Sequence, residues 1–236
     1  MQKFTAIILS SRDIGEFDRM YFLYTRENGV LTAIGKGVRK QTAKLAGHLE
    51  PVTLSEVYVA RSKGIGQITS AITLENFENL KNDFEKLREI LKICQFFVKN
   101  FAEEEKGGKI FDLLCEFLRY FGNPENKEYQ RTILNESFWW KLFDFLGNRP
   151  ETMKCLKCDT RFREAGRKFF SAAAGGIICE KCFKNETGLV EMTNNQIKLL
   201  RIFLANSFEK ILKVKAKEAE LRELGRIREE FKKYNF

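Results

Sequence analysis

The chain has 236 residues, of which 44% are hydrophobic and 13% aromatic, enough apolar surface to bury a core and to exclude global disorder. Its apolar runs, residues 6–9 for example, fall far short of the ~20 residues a membrane span needs, and too few follow Gln2 and Lys3 for a secretory signal, so a soluble cytoplasmic protein is expected. The net charge of +9 favours a polyanionic partner, nucleic acid ahead of an anionic membrane surface.

Residues 3–9 read as a first strand and 18–26 (DRMYFLYTR) as a second; Glu27-Asn28-Gly29 is a hairpin turn signal, and 30–35 follow as a third. Residues 52–60 make a fourth strand whose phase slips, with Val52 and Leu54 on one face but Val57 and Val59 on the other, which predicts a bulge near Ser55-Glu56. In the fifth, 67–74, Ile68, Ile72 and Leu74 alternate with polar residues. Five short strands with one long connection between the third and fourth fit an OB-fold barrel; an SH3-like barrel fits the same periodicity.

Helical spacing takes over after Asn79. Phe84, Leu87, Leu91, Cys94, Val98 and Phe101 lie on one 3/4-spaced stripe, with Asn82 or Asp83 as its cap. A second helix covers 109–121, stopped by Gly122-Asn123-Pro124, and a third covers 126–146 with Trp139 and Trp140. Residues 194–207 and 217–234 read as two more. The 22 phenylalanines fall mostly on these helices at core spacing and read as packing. The expected organisation is an α+β multidomain chain. An OB-fold DNA-binding domain (1–79) precedes an all-α domain in two parts (80–150 and 188–236), with a four-cysteine zinc-binding element (151–187) inserted between them.

Six cysteines without an export signal argue against a disulfide framework. Cys94 and Cys115 lie in helical apolar patterns and read as small buried hydrophobes. The other four form two CxxC pairs, CLKC (155–158) and CEKC (179–182), twenty residues apart. Two such knuckles supply four thiolates to one tetrahedral ion, so Cys155, Cys158, Cys179 and Cys182 are expected to hold one structural Zn2+, with rubredoxin-type iron as the alternative. Four thiolates leave no coordination position for water, which disfavours a catalytic zinc. Arg161, Arg163, Arg167 and Lys168 lie between the pairs, either as phosphate contacts or as a solvated surface.

No catalytic constellation completes. In GKGVRKQTAKLAGHLEP (35–51), Lys40 stands where the third glycine of G-x-G-x-x-G belongs. His48-Leu49-Glu50 matches half of a zinc deaminase signature, but the first CxxC lies more than a hundred residues on and follows Lys154 rather than proline. The chain is therefore expected not to be an enzyme. In an OB barrel, nucleic acid lies across strands 2–3 and the loops 1–2 and 4–5. The candidate DNA contacts are Arg12 in loop 1–2 (SSRDIGEF), Arg61 and Lys63 in loop 4–5 (RSKGIG), and Lys36, Arg39, Lys40 and Lys44 in the connection between strands 3 and 4. In that connection 41–46 form a turn of helix, and His48 reads as structural. Tyr21, Phe22 and Tyr24 are the stacking candidates, some of them necessarily core.

The order of these parts resembles the bacterial RecO family of recombination and repair mediators: the basic GKGVRK loop, then EPVTLSEVYVARSKGIGQITSA, a helical domain, and a late CxxC pair. The resemblance spans essentially the whole chain. It implies a non-enzymatic mediator of the RecF pathway, nucleoid-associated in the cytoplasm. Such a mediator binds single- and double-stranded DNA, anneals complementary strands, and acts with RecR to load RecA onto strands coated by single-strand-binding protein (SSB). It also implies DNA contacts at Lys36, Arg39, Lys40 and Lys44, zinc at the four cysteines, and, in some members, docking of the acidic SSB C-terminal tail in a groove of the helical domain. The alternative is a zinc-containing adaptor that acts mainly through protein contacts with acidic partner tails.

Overall fold

The alternating segments close into a barrel of five strands: β1 (Gln2–Ile14), β2 (Asp18–Thr25), β3 (Gly29–Gly35), β4 (Leu54–Ala60) and β5 (Gly66–Glu75). Their order is β1-β2-β3-β5-β4. β3 pairs with β5 in parallel, through Ala33↔Gly66 and Ile34↔Gln67. That crossover is the OB-like order and decides against the sequential SH3-like alternative. The computed structural model describes residues 1–61, 64–102, 107–183 and 188–236, which fall into two compact units, Met1–Asn123 and Pro124–Phe236.

Inside the barrel, Ala6, Ile8, Tyr21, Leu23, Leu31, Ala33, Val57, Val59 and Ile68 form the core. The first strand runs past its expected end at Leu9. A register break between Ile8 and Ser10 resets the pairing, and Ser11↔Tyr21 and Arg12↔Met20 continue it. The polar run from Ser10 to Asp13 hid this continuation, because a bulge breaks the alternation that marks a strand. The expected slip in β4 is present as register breaks at Leu54/Ser55 and Tyr58/Val59 against β5. β4 starts at Leu54 rather than Val52, whose φ of 60° is a strained conformation for a β-branched residue. Its N–H donates to the Ile8 carbonyl at 2.8 Å, which holds it there. In the β3–β4 connection the helical turn is a 3-10 turn at Ala46–Leu49, later than the expected 41–46.

Three helices complete the first unit: α1 (Glu78–Lys81), α2 (Phe84–Asn100) and α3 (Gly108–Gly122). Asp83 caps α2, its carboxylate accepting the Lys86 N–H at 3.1 Å. The buried face of α2 centres on Ile90, Ile93, Cys94, Phe96 and Phe97; of the expected stripe Cys94 and Phe101 are buried, Leu87, Leu91 and Val98 partly so, and Phe84 is 75% exposed. The run LREILKICQFFV contains two overlapping 3/4 stripes, so spacing alone did not choose between them. The barrel chooses: Tyr24 meets Phe97 edge-on at 4.6 Å and Phe101 at 5.4 Å.

The second unit comprises α4 (Glu128–Phe145), a three-stranded sheet of β6 (Lys168–Ser171), β7 (Gly176–Cys179) and β8 (Leu189–Glu191) in the order β7-β6-β8, and α5 (Asn194–Ala205), α6 (Phe208–Ile211) and α7 (Glu218–Asn235). These strands are too short for alternation to show in the sequence. Trp140 of α4 sits among Phe143, Phe170 and Phe231, with ring centroids at 5.7, 6.1 and 5.4 Å. Beside this core the largely buried Arg228 guanidinium pairs with Glu136 at 3.2 Å. Among the described residues, no helix is long and apolar enough to cross a membrane.

Candidate nucleic-acid interface and metal centre

The OB-like topology gathers three connections at one end of the barrel. β2 begins beside the end of β3 (Arg19↔Gly35), and β5 begins beside Ala33. Hydrogen bonds then fix the β3–β4 connection onto the β1–β2 tip. Gly37 N–H donates to the Asp18 carboxylate at 2.8 Å, and Arg39 N–H donates to the Phe17 carbonyl at 3.0 Å. Only glycine fits at 35, because a Cβ there would stand 2.8 Å from both the Tyr21 ring and the Val38 side chain. Gly37, at φ +65°, turns the chain away from the sheet.

The candidate cations divide by what holds them. Arg39 is a clasp: its Nη1 donates to the Gly15 and Glu16 carbonyls at 3.4 and 3.1 Å, and its Nε lies 3.3 Å from Asp13. Asp13 also accepts from Arg19 at 2.6 Å, the hydrogen bond that lowers its carboxyl pKa first. Lys40 lies 5.4 Å over the ring of Phe17, which is 42% exposed at the tip. Lys36 and Lys44 are exposed, and no carboxylate pairs with either among the described residues. Arg61 donates to the Gly64 carbonyl at 2.9 Å. Lys63 lies outside the described residues.

Arg12 is not on a loop, as expected, but within β1, because the pairing with β2 persists to Ile14↔Asp18. Its guanidinium donates to the Met20 sulfur at 3.2 Å and stands 5.9 Å over Phe22. Of the three expected stacking aromatics, Tyr21 is inner core and Tyr24 is covered by α2, which leaves Phe22 half-exposed. The sequence reading missed Phe17 and Ile65, two exposed apolar side chains at the tips of loops 1–2 and 4–5. Their place between glycines, Gly15 before one and Gly64 and Gly66 around the other, was the available signal.

His48 and Glu50 serve the fold separately. The His48 Nδ1 accepts the Thr73 N–H at 3.3 Å, and its carbonyl accepts the Ser55 hydroxyl at 2.7 Å. Glu50 accepts from Lys81 at 3.2 Å.

In the second unit the four expected ligands do meet: the sulfurs of Cys155, Cys158, Cys179 and Cys182 all lie within 4.8 Å of one another. Cys158 and Cys179 sulfurs are 3.8 Å apart, about the edge of a tetrahedron with metal–sulfur bonds of ~2.3 Å. Each pair sits in a tight knuckle, closed by Asp159 N–H to Cys155 O at 3.0 Å and by Cys182 N–H to Cys179 O at 3.0 Å. The Lys157 and Cys179 N–H groups donate to the Cys155 sulfur at 3.4 Å, as backbone amides do around a thiolate. The Leu156 N–H donates to the Ile177 carbonyl and ties the first knuckle to the strand carrying Cys179. The Thr160 hydroxyl and N–H lower the Cys158 thiol to about 6, whereas hydrogen bonding to the Cys158 and Cys179 sulfurs holds Cys182 up at about 12. This donor set can hold a metal ion.

Residues 1–77 match the family model described as Recombination protein O N terminal, and residues 81–235 match that described as Recombination protein O C terminal. Among relatives, the chain is 32% identical over 222 residues to the DNA repair protein RecO of Dehalococcoides mccartyi, covering 94% of this chain and 85% of that protein. It is 26% identical over 211 residues to the RecO of Listeria monocytogenes serotype 4b, covering 89% and 80% respectively. With the RecO of Desulforamulus reducens it shares 26% identity over 234 residues, covering 98% and 88%. The two family models, matched in order along nearly the whole length, and relatives named RecO make this chain a member of the RecO family of DNA repair and recombination proteins.

Proposed function

We propose that the chain is a non-enzymatic DNA-binding mediator that binds single- and double-stranded DNA, anneals complementary strands, and assists RecA loading with RecR on SSB-coated DNA. The observation that carries this reading is the end of the barrel where Lys36, Lys40 and Lys44 share one connection with the exposed ring of Phe17 beside it. Cations neutralise phosphates and an exposed ring stacks on a base, a contact worth ~1–3 kcal/mol whatever the sequence. Arg39 contributes by holding the connection against the β1–β2 tip. Residues Arg12 and Arg61 extend the same basic end, and Lys63 joins them by sequence. The test is charge reversal at Lys36, Lys40 and Lys44 together, with binding to single-stranded oligonucleotide followed against salt. The variant is expected to stay folded while its log-log salt slope falls by about 2, at ~0.7 per lost contact. An unchanged slope would remove the site assignment.

The metal is proposed to be a single structural Zn2+ on the four cysteines, supported by the sulfur spacing and the closed donor set. Metal analysis of protein prepared without chelator should return one zinc per chain.

The SSB C-terminal tail, acidic and apolar at its end, fits a groove of about 500 Å3 between α5 and the start of α7. Leu199, Ile202 and Val214 give it apolar walls, and Lys198, Lys215 and Lys217 stand around it. Its acid, Glu220, is occupied by the Lys217 N–H and by Asn195. Tyr129 fixes one wall, donating to the Val214 carbonyl at 2.7 Å and accepting from the Ala216 N–H at 2.6 Å. The same groove would serve the adaptor reading, so an acidic tail peptide and DNA should be titrated at matched salt. A nucleoid-associated, cytoplasmic location follows from the proposed role.

A further inference from the structure

The cation-rich segment between the two cysteine pairs has a geometry that neither the metal nor the fold consumes. Residue Arg161 bridges Lys154 in antiparallel fashion, and the Phe162 N–H donates to the Met153 carbonyl at 3.0 Å, so this stretch is extended. Period-two alternation then turns Phe162 partly inward and leaves Arg161 and Arg163 exposed on the same side. The turn that follows is fixed from beneath. Lys168, only 4% exposed, donates its Nζ to the carbonyls of Glu164, Ala165 and Gly166 at 3.0, 3.4 and 2.9 Å. Arg167 is committed to Glu191 through two bonds of 3.0 and 2.6 Å. Of the five cations lining this cleft of about 420 Å3, Arg167 and Lys168 thus hold the element together. Arg161, Arg163 and Lys181 are exposed and have no carboxylate partner among the described residues. The one acid in the lining, Glu180, accepts the Arg167 N–H at 3.3 Å.

We propose that this rim of the four-cysteine element is a second nucleic-acid contact, in which Arg161, Arg163 and Lys181 take successive phosphates of one strand. The inference rests on the DNA-binding reading above and adds a surface in the other compact unit. Two residues along an extended segment set Arg161 and Arg163 about 6.7 Å apart, on the order of the distance between neighbouring phosphates of a strand. An acidic peptide tail would need an apolar socket beside the charge, as in the α5–α7 groove. Here Phe162 and Ala165 are the apolar side chains, beside two of the clustered cysteines, Cys158 and Cys179, and the charged side chains outnumber them. A chain with two separate phosphate-binding surfaces can hold two strands at once, which is what bringing complementary strands together requires.

The test uses the intact, metal-loaded protein. Phenylglyoxal modification of Arg161 and Arg163, followed by mass spectrometry, is compared without DNA, with saturating oligo(dT), and with an acidic peptide. Protection by oligo(dT) is expected. The variant R161Q/R163Q is expected to keep its metal and to lose about 1.4 from the salt slope for single strands, at ~0.7 per contact. Restoring charge with R161K/R163K should recover that loss. If the Gln variant sheds its metal, the footprint on the unmodified protein decides alone. Equal arginine reactivity with and without bound oligo(dT), or protection by the peptide only, overturns the proposal while leaving the barrel site standing. Failure of the wild-type protein to bind DNA at all would overturn both readings.

Discussion

Cys94 and Cys115 have the same side chain as the four cluster cysteines and the opposite chemistry. Burial pushes each of these thiols up to about 12, because a thiolate in an apolar core has nothing to solvate it. At Cys158 the Thr160 hydroxyl and amide stabilise the thiolate instead. Above about pH 9 the unfolded chain surrenders the Cys94 proton, while the folded chain keeps it until about pH 12. The native state therefore binds more protons across that window, and stability must fall as pH rises through it. Urea midpoints of wild type and Cys94→Ala, taken at about pH 8 and about pH 10.5, are expected to show the steeper decline in wild type. Parallel declines would mean that the thiol ionises as readily inside the fold as outside it. The cations show a second distinction between identical side chains. Arg39, Lys36 and Lys40 are near neighbours in sequence, yet only the arginine is bound to Asp13 and two carbonyls. A count of charges in the sequence could not reveal that division, because the Arg39 partners come from the β1–β2 tip. The CxxC pairs were legible because both thiols of a knuckle are local in the chain.

At the scale of elements, legibility followed the length of the repeating pattern. Long helices were found within a few residues of their ends, α4 at Glu128–Phe145 against an expected 126–146, and α5 at Asn194–Ala205 against 194–207. The face of α2 was only partly read, with Cys94 and Phe101 buried as expected but Phe84 exposed, because two stripes overlap and only contact with Tyr24 chooses between them. The three strands of the cysteine element, of three or four residues each, were not visible at all. What holds that element is equally non-periodic: Lys168 gathers the carbonyls of Glu164, Ala165 and Gly166, the first of which also accepts from Asn194 at 2.8 Å. Burial lowers the pKa of this ammonium, with Arg201 adding repulsion and the Glu164 carboxylate opposing both. Replacing it by methionine keeps the length and removes the donors. Lys168→Met is expected to cost about 1.5–3 kcal/mol, the usual worth of a hydrogen bond from a charged donor. It should also speed tryptic cleavage after Arg161 and Arg163. Cleavage at the wild-type rate, with an unchanged urea midpoint, would show that the turn does not need its cap.

Over the whole molecule, the four clustered cysteines all lie in one of the two compact units, and a metal held there predicts how the units come apart. The first unit, Met1–Asn123, carries a closed barrel with Tyr24 packed against Phe97 and Phe101 at the C-terminal end of α2, and contains none of the four clustered cysteines. The second, Pro124–Phe236, contains all four. Its β7 ends at Cys179, and Leu156 of the first knuckle is bonded to the same strand. A metal there joins two segments separated by the twenty residues between the CxxC pairs, and binding to the native cluster alone stabilises the unit that presents it. Chelation with a strong zinc chelator, or Cys155→Ser, is therefore expected to split thermal unfolding into two transitions. The earlier one should belong to the second unit and be reported by Trp139 and Trp140, the only tryptophans of the chain. The later one should stay at the wild-type temperature, with salt-sensitive binding of single strands by the barrel retained while the tryptophan signal is already lost. A single transition shifted as a whole would mean that the units do not unfold independently. Unchanged unfolding after complete metal removal would mean that the sulfur cluster contributes nothing to the stability of its unit.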